Sequence, residues 1–208
     1  MGVRLGIDFD NTIAAYDALF ARLAVEEGYL HEEPAGGKTG VRESVRAAAG
    51  EGAWRRLQAL AYGPRIAGAV LMPGAGEFLS RCRQQAVPVA IVSHKSRRPA
   101  DQSVDTDLRQ AALGWMREQR FFTADGFAID SQDVHFEDSR AAKVERIAAL
   151  GLDAFIDDLV EVFAEPGFPA GVRRCLLADD RTAEAGVPLP VEVFHSWNEI
   201  NHVLLGAD

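Results

Sequence analysis

The chain has 208 residues, 48% hydrophobic and 25% charged, which suits a globular protein with one α/β domain and an insertion. Its formal charge of −9 excludes nucleic acid as a main partner, because phosphate backbones are bound by clustered Lys and Arg, but it admits a small phosphorylated substrate. No apolar stretch approaches the ~20 residues of a membrane span, and the N-terminus reaches Asp8 too soon for a secretory signal, so no membrane partner is expected.

In chain order, Val3–Ile7 is an apolar run entering an acidic turn and predicts a buried first strand. Tyr16, Leu19, Phe20 and Leu23 recur at helical spacing and predict an amphipathic helix ending near Gly28. Residues 31–40 are polar and glycine-rich and predict a loop, followed by helices over about 41–49 and 53–62. Residues 14–70 are thus expected to be helical apart from loops. Pro73 and Gly74 mark the return to a β/α alternation. A helix is predicted over Gly76–Gln85, then a strand over Pro88–Val92 ending at Ser93. A helix follows over about 105–119, a short strand over Val134–Phe136 and a helix over 140–150. Ala154–Ile156 is a further strand, running into Asp157 and Asp158. Two last strands, Cys175–Ala178 and Val191–Phe194, and a helix over 197–205 close the chain. Cys82 and Cys175 lack metal-type spacing and are expected as buried thiols in a reducing, cytoplasmic setting.

Strands alternating with helices of this length predict a Rossmann-like parallel sheet with helices on both faces. Such sheets bind ligands at the carboxyl ends of their strands, and the unusual polar residues fall there. Asp8 and Asp10 follow the first strand. Two acids at this spacing suit a shared cavity with a hard cation such as Mg²⁺, one attacking phosphorus and the other handling a proton. They equally suit an acidic turn in which Asp10 and Thr12 cap the next helix. Ser93 offers a hydroxyl to an anion, or caps the segment after it. Lys143, one of only three lysines (with Lys38 and Lys95) beside 19 arginines, sits early in a helix before the Asp157–Asp158 pair. Adjacent acids at a buried strand end are costly unless paired or metal-bound. Gly37-Lys38-Thr39 imitates the end of a P-loop but lacks the upstream glycine and strand.

Together, these positions resemble the four signature motifs of the haloacid dehalogenase superfamily. They are the hydrophobic run with D-x-D-x-T (Leu5–Thr12), the strand ending in serine (Val89–Ser93), the helix-start lysine (Lys143), and the acidic pair after a strand (Phe155–Asp158). The resemblance spans roughly residues 3–158, and the helical stretch between the first two motifs resembles the superfamily's C1 cap, inserted into a core of residues 1–13 and 73–208.

By this resemblance, Asp8 is the nucleophile that becomes an aspartyl-phosphate and Asp10 the general acid and base. Ser93 and Lys143 hold the transferring group. Asp8, Asp10 (through its backbone carbonyl), Asp157 and Asp158 bind Mg²⁺, with Asp158 the more direct ligand of the pair. Asn11, Thr12, His94, Lys95 and Arg97 are expected around the substrate, with Lys95 also competing for the charge-balancing role given to Lys143. Superfamily dehalogenases lack an aspartate at the position of Asp10, so the resemblance implies a Mg²⁺-dependent phosphatase of a small metabolite. The alternatives are a phosphotransferase using the same intermediate and a non-catalytic binding module on the same fold.

Overall fold

The computed structural model describes residues 3–178 and 190–206. The chain divides into two compact units, one of residues 1–13, 71–95 and 119–208 and the other of residues 14–70 and 96–118. The stretch 96–118, expected in the core, therefore groups with the inserted residues instead.

The first unit is built on six parallel strands: β1 (Leu5–Ile7), β4 (Val89–His94), β5 (Val134–Glu137), β6 (Ala154–Asp157), β7 (Arg173–Leu177) and β8 (Glu192–Phe194). Their order is β5-β4-β1-β6-β7-β8. Leu5, Gly6 and Ile7 pair with Val89, Ala90 and Ile91 on one side and with Ala154, Phe155 and Ile156 on the other. β1 is thus central, and its three residues are all buried. The chain builds outward from β1 to β4 and β5, then crosses back to β6. That reversal opens a crevice at the carboxyl ends of β1, β4 and β6.

Four helices accompany these strands: α3 (Ala75–Gln84), α5 (Arg140–Ala149), α6 (Val160–Phe163) and α7 (Trp197–Leu205). Successive strand residues face opposite sides of the sheet. On one side Ala90, Val92, Phe155 and Leu176 pack with Val144 and Ile147 of α5 and Val162 and Phe163 of α6. Gly6 belongs to this side, where a Cβ would stand 2.6 Å from the Phe155 ring, so only glycine fits under it. α3 and α7 pack together, with the Phe78 and Trp197 rings 4.9 Å apart. Both faces of the sheet carry helices, as the α/β alternation predicts. Cys82 and Cys175 are buried free thiols, and burial pushes both up to about 12, so they are inert.

The second unit contains α1 (Asp17–Glu26), α2 (Gly37–Tyr62) and α4 (Leu108–Glu118). α1 packs on α2 through Tyr16, Phe20, Trp54 and Tyr62, whose rings lie 4.9–6.4 Å apart. α2 begins inside the stretch predicted as a loop, and Lys38 lies in its first turn, with its backbone N–H donating to Asp17 Oδ1 at 3.0 Å. The expected gap between two helices appears as a break at Gly50, where φ is 82° and ψ −179°. Two short strands, β2 (Ala14–Ala15) and β3 (Val70–Leu71), pair with each other in a stretch predicted to be helical. At two residues each they are too short to leave a period-2 pattern. No helix among the described residues is long and apolar enough to cross a membrane.

Candidate active site

The site grows from the ends of three neighbouring strands. Asp8 directly follows β1, and its backbone N–H donates to the Ile156 carbonyl at 2.9 Å, extending the parallel ladder by one residue. Asp157 ends β6 and has no exposed surface. Lys143 reaches both acids from α5. Ser139 caps that helix, its Oγ accepting from the Ala142 N–H at 3.1 Å, so the lysine is placed one turn inside a fixed terminus. Its ammonium donates to Asp8 Oδ1 at 2.5 Å and to Asp157 Oδ2 at 2.6 Å, and lies 5.3 Å from the Phe155 ring. Lys143 is 1% exposed. A buried cation is retained only where charges compensate it, and here two carboxylates do.

One ammonium does not neutralise two buried carboxylates. Burial, the largest influence on Asp8, raises its pKa to about 7; Lys143 opposes the rise and Asp157 adds to it. Desolvation also acts against the charged form of Lys143, but Asp157 and Asp8 outweigh it and hold the ammonium well above the ordinary lysine range. The asymmetry has a simple cause. The lysine has two partners, whereas Asp8 has half a partner and a like charge beside it. The acids are therefore left with surplus negative charge.

Asp158 is partly buried, and the Thr12 hydroxyl donates to its Oδ1 at 3.2 Å, with Asp8 Oδ2 a longer alternative at 3.5 Å. Asp8, Asp157 and Asp158 each offer an oxygen, and these atoms lie within 4.8 Å of one another. Three carboxylates carrying surplus charge form a hard oxygen donor set that fits a divalent cation such as Mg²⁺. Asp157 already spends Oδ2 on Lys143, and its Oδ1 accepts from the Leu159 N–H at 2.9 Å. Both carboxylate oxygens of Asp157 thus already accept hydrogen bonds within the protein.

The remaining expected residues divide clearly. Asp10 does not join the three-carboxylate group; its Oδ2 pairs with the Lys95 ammonium at 2.7 Å. Asn11 has φ 62°, the left-handed region that glycine and asparagine tolerate best. Thr12 is fully buried, so its expected contact with substrate gives way to holding Asp8 and Asp158. Ser93, near the carboxyl end of β4, is 1% exposed. His94, next along, is exposed. Arg97 belongs to the other unit, where it is exposed and 3.6 Å from Asp107, and Arg98 pairs with Asp105.

One supporting residue left no signal in the sequence. Trp197 of α7, buried, donates its indole N–H to the Thr12 carbonyl at 3.0 Å and so ties the acidic loop to the last helix. A tryptophan 185 positions away is unreadable as a loop anchor without the fold.

No protein-family model matches the sequence, and no curated protein matches it. Solved structures do. A HAD-family hydrolase from Deinococcus radiodurans, with bound phosphate and sodium, shares 16% identity at a TM-score of 0.56, over 97% of this chain and 94% of that one. A dehalogenase with an intermediate complex shares 16% identity at 0.57, over 99% and 97%. A HAD-superfamily hydrolase from Ehrlichia chaffeensis shares 13% identity at 0.53, over 98% and 96%. The fold of this chain is therefore that of the haloacid dehalogenase-like hydrolases.

Proposed function

We propose that the protein is a divalent-metal-dependent phosphatase that hydrolyses a small phosphorylated metabolite through an aspartyl-phosphate on Asp8. The observation that carries this reading is the pairing of roles around the D-x-D turn. Asp8 sits with Lys143, Asp157 and Asp158, whereas Asp10, two residues on, is held apart from that group by Lys95. A nucleophile and a separate acid–base group are what ester hydrolysis requires. A carbon–halogen bond leaves as halide and needs no proton, so an aspartate kept at this position favours an oxygen leaving group.

In this reading Asp8 forms the new bond to phosphorus as the ester P–O bond breaks. The leaving oxygen takes its proton from Asp10. Asp10, now a carboxylate, then removes a proton from water as the water oxygen bonds to phosphorus, and the bond to Asp8 breaks. The Ser93 hydroxyl and the Lys143 ammonium stabilise the equatorial oxygens, where charge resides during phosphoryl transfer. A cation held by Asp8, Asp157 and Asp158, with the Asp10 carbonyl, supplies charge neutralisation between the acids and a phosphate dianion.

The reading rests on charge as well as geometry. A nucleophilic Asp8 must be ionised, and its raised pKa without metal leaves it partly protonated at neutral pH. A bound cation corrects that. The test is phosphate release from a panel of small esters with Mg²⁺ and no acceptor. Release gives the hydrolase; transfer to an added sugar hydroxyl in preference to water gives the phosphotransferase; no turnover of any ester removes the reading.

A further inference from the structure

Two buried lysines divide the acids between them. Lys143 takes Asp8 and Asp157, and Lys95 takes Asp10. Lys95, expected to touch substrate or to compete with Lys143, pairs with Asp10. Its side chain is 3% exposed, and its ammonium lies 2.7 Å from Asp10 Oδ2 and 5.7 Å from the Phe9 ring. The backbone is equally fixed. The Lys95 N–H donates to the Glu137 carbonyl at 3.0 Å, one step beyond the β4–β5 pairing of His94 with Glu137. A lysine this buried, on a strand extension this well held, is placed to serve a partner within the protein. Its partner here lies outside the regular strand, since Asp10 follows the end of β1 and precedes the left-handed Asn11.

From this juxtaposition we infer that Lys95 is a positioning residue for Asp10, acting on the proton-transfer part of the reaction and not on phosphoryl binding. The inference rests on the phosphatase reading. Held by the Lys95 ammonium, the Asp10 carboxyl stays beside the leaving oxygen to give up its proton, the step that kcat/KM reads, and the carboxylate that results stays in place for the water step. Without Lys95 the Asp10 side chain is free to turn away from both the leaving oxygen and the attacking water.

Leaving-group dependence distinguishes this role from a structural or substrate-binding one. An ester with a good leaving group, such as 4-nitrophenyl phosphate, needs little protonation; an alkyl phosphate needs it fully. General acid–base catalysis is worth roughly 10²–10⁴-fold, which sets the scale. Lys95→Met should lose less than about tenfold in kcat/KM on 4-nitrophenyl phosphate and more than about a hundredfold on an alkyl phosphate, so that the rate falls more steeply with leaving-group pKa than in the wild type. Asp10→Asn should behave alike, and the Asp10→Asn/Lys95→Met double variant should match Asp10→Asn on alkyl esters, because residues acting as a unit are not additive. The double variant removes both charges together, so it keeps the test open if the single variant fails to fold. An equal loss across the leaving-group series, a loss confined to KM, or a further loss in the double variant overturns the inference while the phosphatase reading stands. A wild-type protein inactive on every ester overturns both.

Discussion

Asp8→Asn in the metal-free protein is the sharpest test of the charge arithmetic. The wild-type site places Asp8 and Asp157 on one ammonium, at 2.5 and 2.6 Å. Asparagine keeps the shape, removes one of the two negative charges, and leaves Lys143 and Asp157 as a balanced pair. The Asp8 pKa rises from 3.8 to about 7 on folding, chiefly through burial. At 1.36 kcal/mol per unit, the ionised carboxylate costs the folded state at most about 4 kcal/mol. The sign follows from linkage. Stability gained from protonating Asp8 is fully present below pH 3.8 and is lost as the pH rises through 7. The full penalty therefore applies at pH 8, and less than half of it at pH 5. Asparagine loses a charge-assisted hydrogen bond, which offsets about 1.5–3 kcal/mol. The expected net gain is about 1–2 kcal/mol at pH 8, or about 2–8 °C in Tm for a chain of this size, and near zero at pH 5. Thermal melts of both proteins in EDTA at the two pH values read this directly, and phosphate release reads activity, which the variant should lack. Saturating Mg²⁺ should reverse the order, adding about 2.7 kcal/mol to the wild type at a hundredfold excess over Kd and much less to the variant. A variant destabilised at pH 8, or shifted equally at both pH values, would refute the idea of surplus buried charge.

The other expectations are quicker to state. Activity should vanish on chelation and return with Mg²⁺; full turnover in excess EDTA, with no metal found in the protein, would remove the role given to Asp8, Asp157 and Asp158. Lys143→Met should cost at least about a hundredfold in kcat, as loss of a preorganised charge does, whereas Lys38→Met should stay within about tenfold; the opposite ranking would misplace the charge-balancing lysine. Gly6→Ala should destabilise the fold by about 1–3 kcal/mol in denaturant titrations, because its Cβ would meet the Phe155 ring at 2.6 Å, and a neutral result would mean that this layer repacks freely. Small phosphate esters should be turned over far faster than a phosphopeptide or a 5′-phosphorylated oligonucleotide, and the reverse preference would contradict the acidic chain's expected choice of substrate.

Much of the fold is readable because its signals are local. Leu5–Ile7, Val89–Val92 and Ala154–Ile156 are continuous apolar runs ending in a polar residue, as strands buried on both faces must be. Asp8, Ser93 and Asp157 are legible for the same reason, since each interrupts such a run at its carboxyl end. The break at Gly50 is readable from the two glycines, Gly50 and Gly52, between two helical patterns. What is not local is not readable. The assignment of 96–118 to the second unit depends on which body α4 packs against, through contacts such as the Trp115 indole N–H donating to the Ala69 carbonyl at 3.1 Å. Periodicity marks the buried face of a helix, not what buries it.

The lysines make the limit concrete. Lys95 and Lys143 are alike in sequence, each a lysine near a strand or helix boundary with arginines close by, and surface exposure is the usual fate of both kinds. Each has a stem long enough to reach several acids from its backbone position, so spacing alone does not assign partners. The sheet order decides. β4 borders β1, so a residue just past β4 stands beside the turn that follows β1, where Asp10 lies. α5 precedes β6, on the other side of β1, so a residue in its first turns reaches the ends of β1 and β6 together, where Asp8 and Asp157 lie. The two lysines thus approach the end of β1 from different elements, one from the extension of β4 and the other from α5. Under the proposed function, nucleophile and acid–base group each have a cation of their own because the order of connection reverses at β1, with β4 on one side of it and β6 on the other.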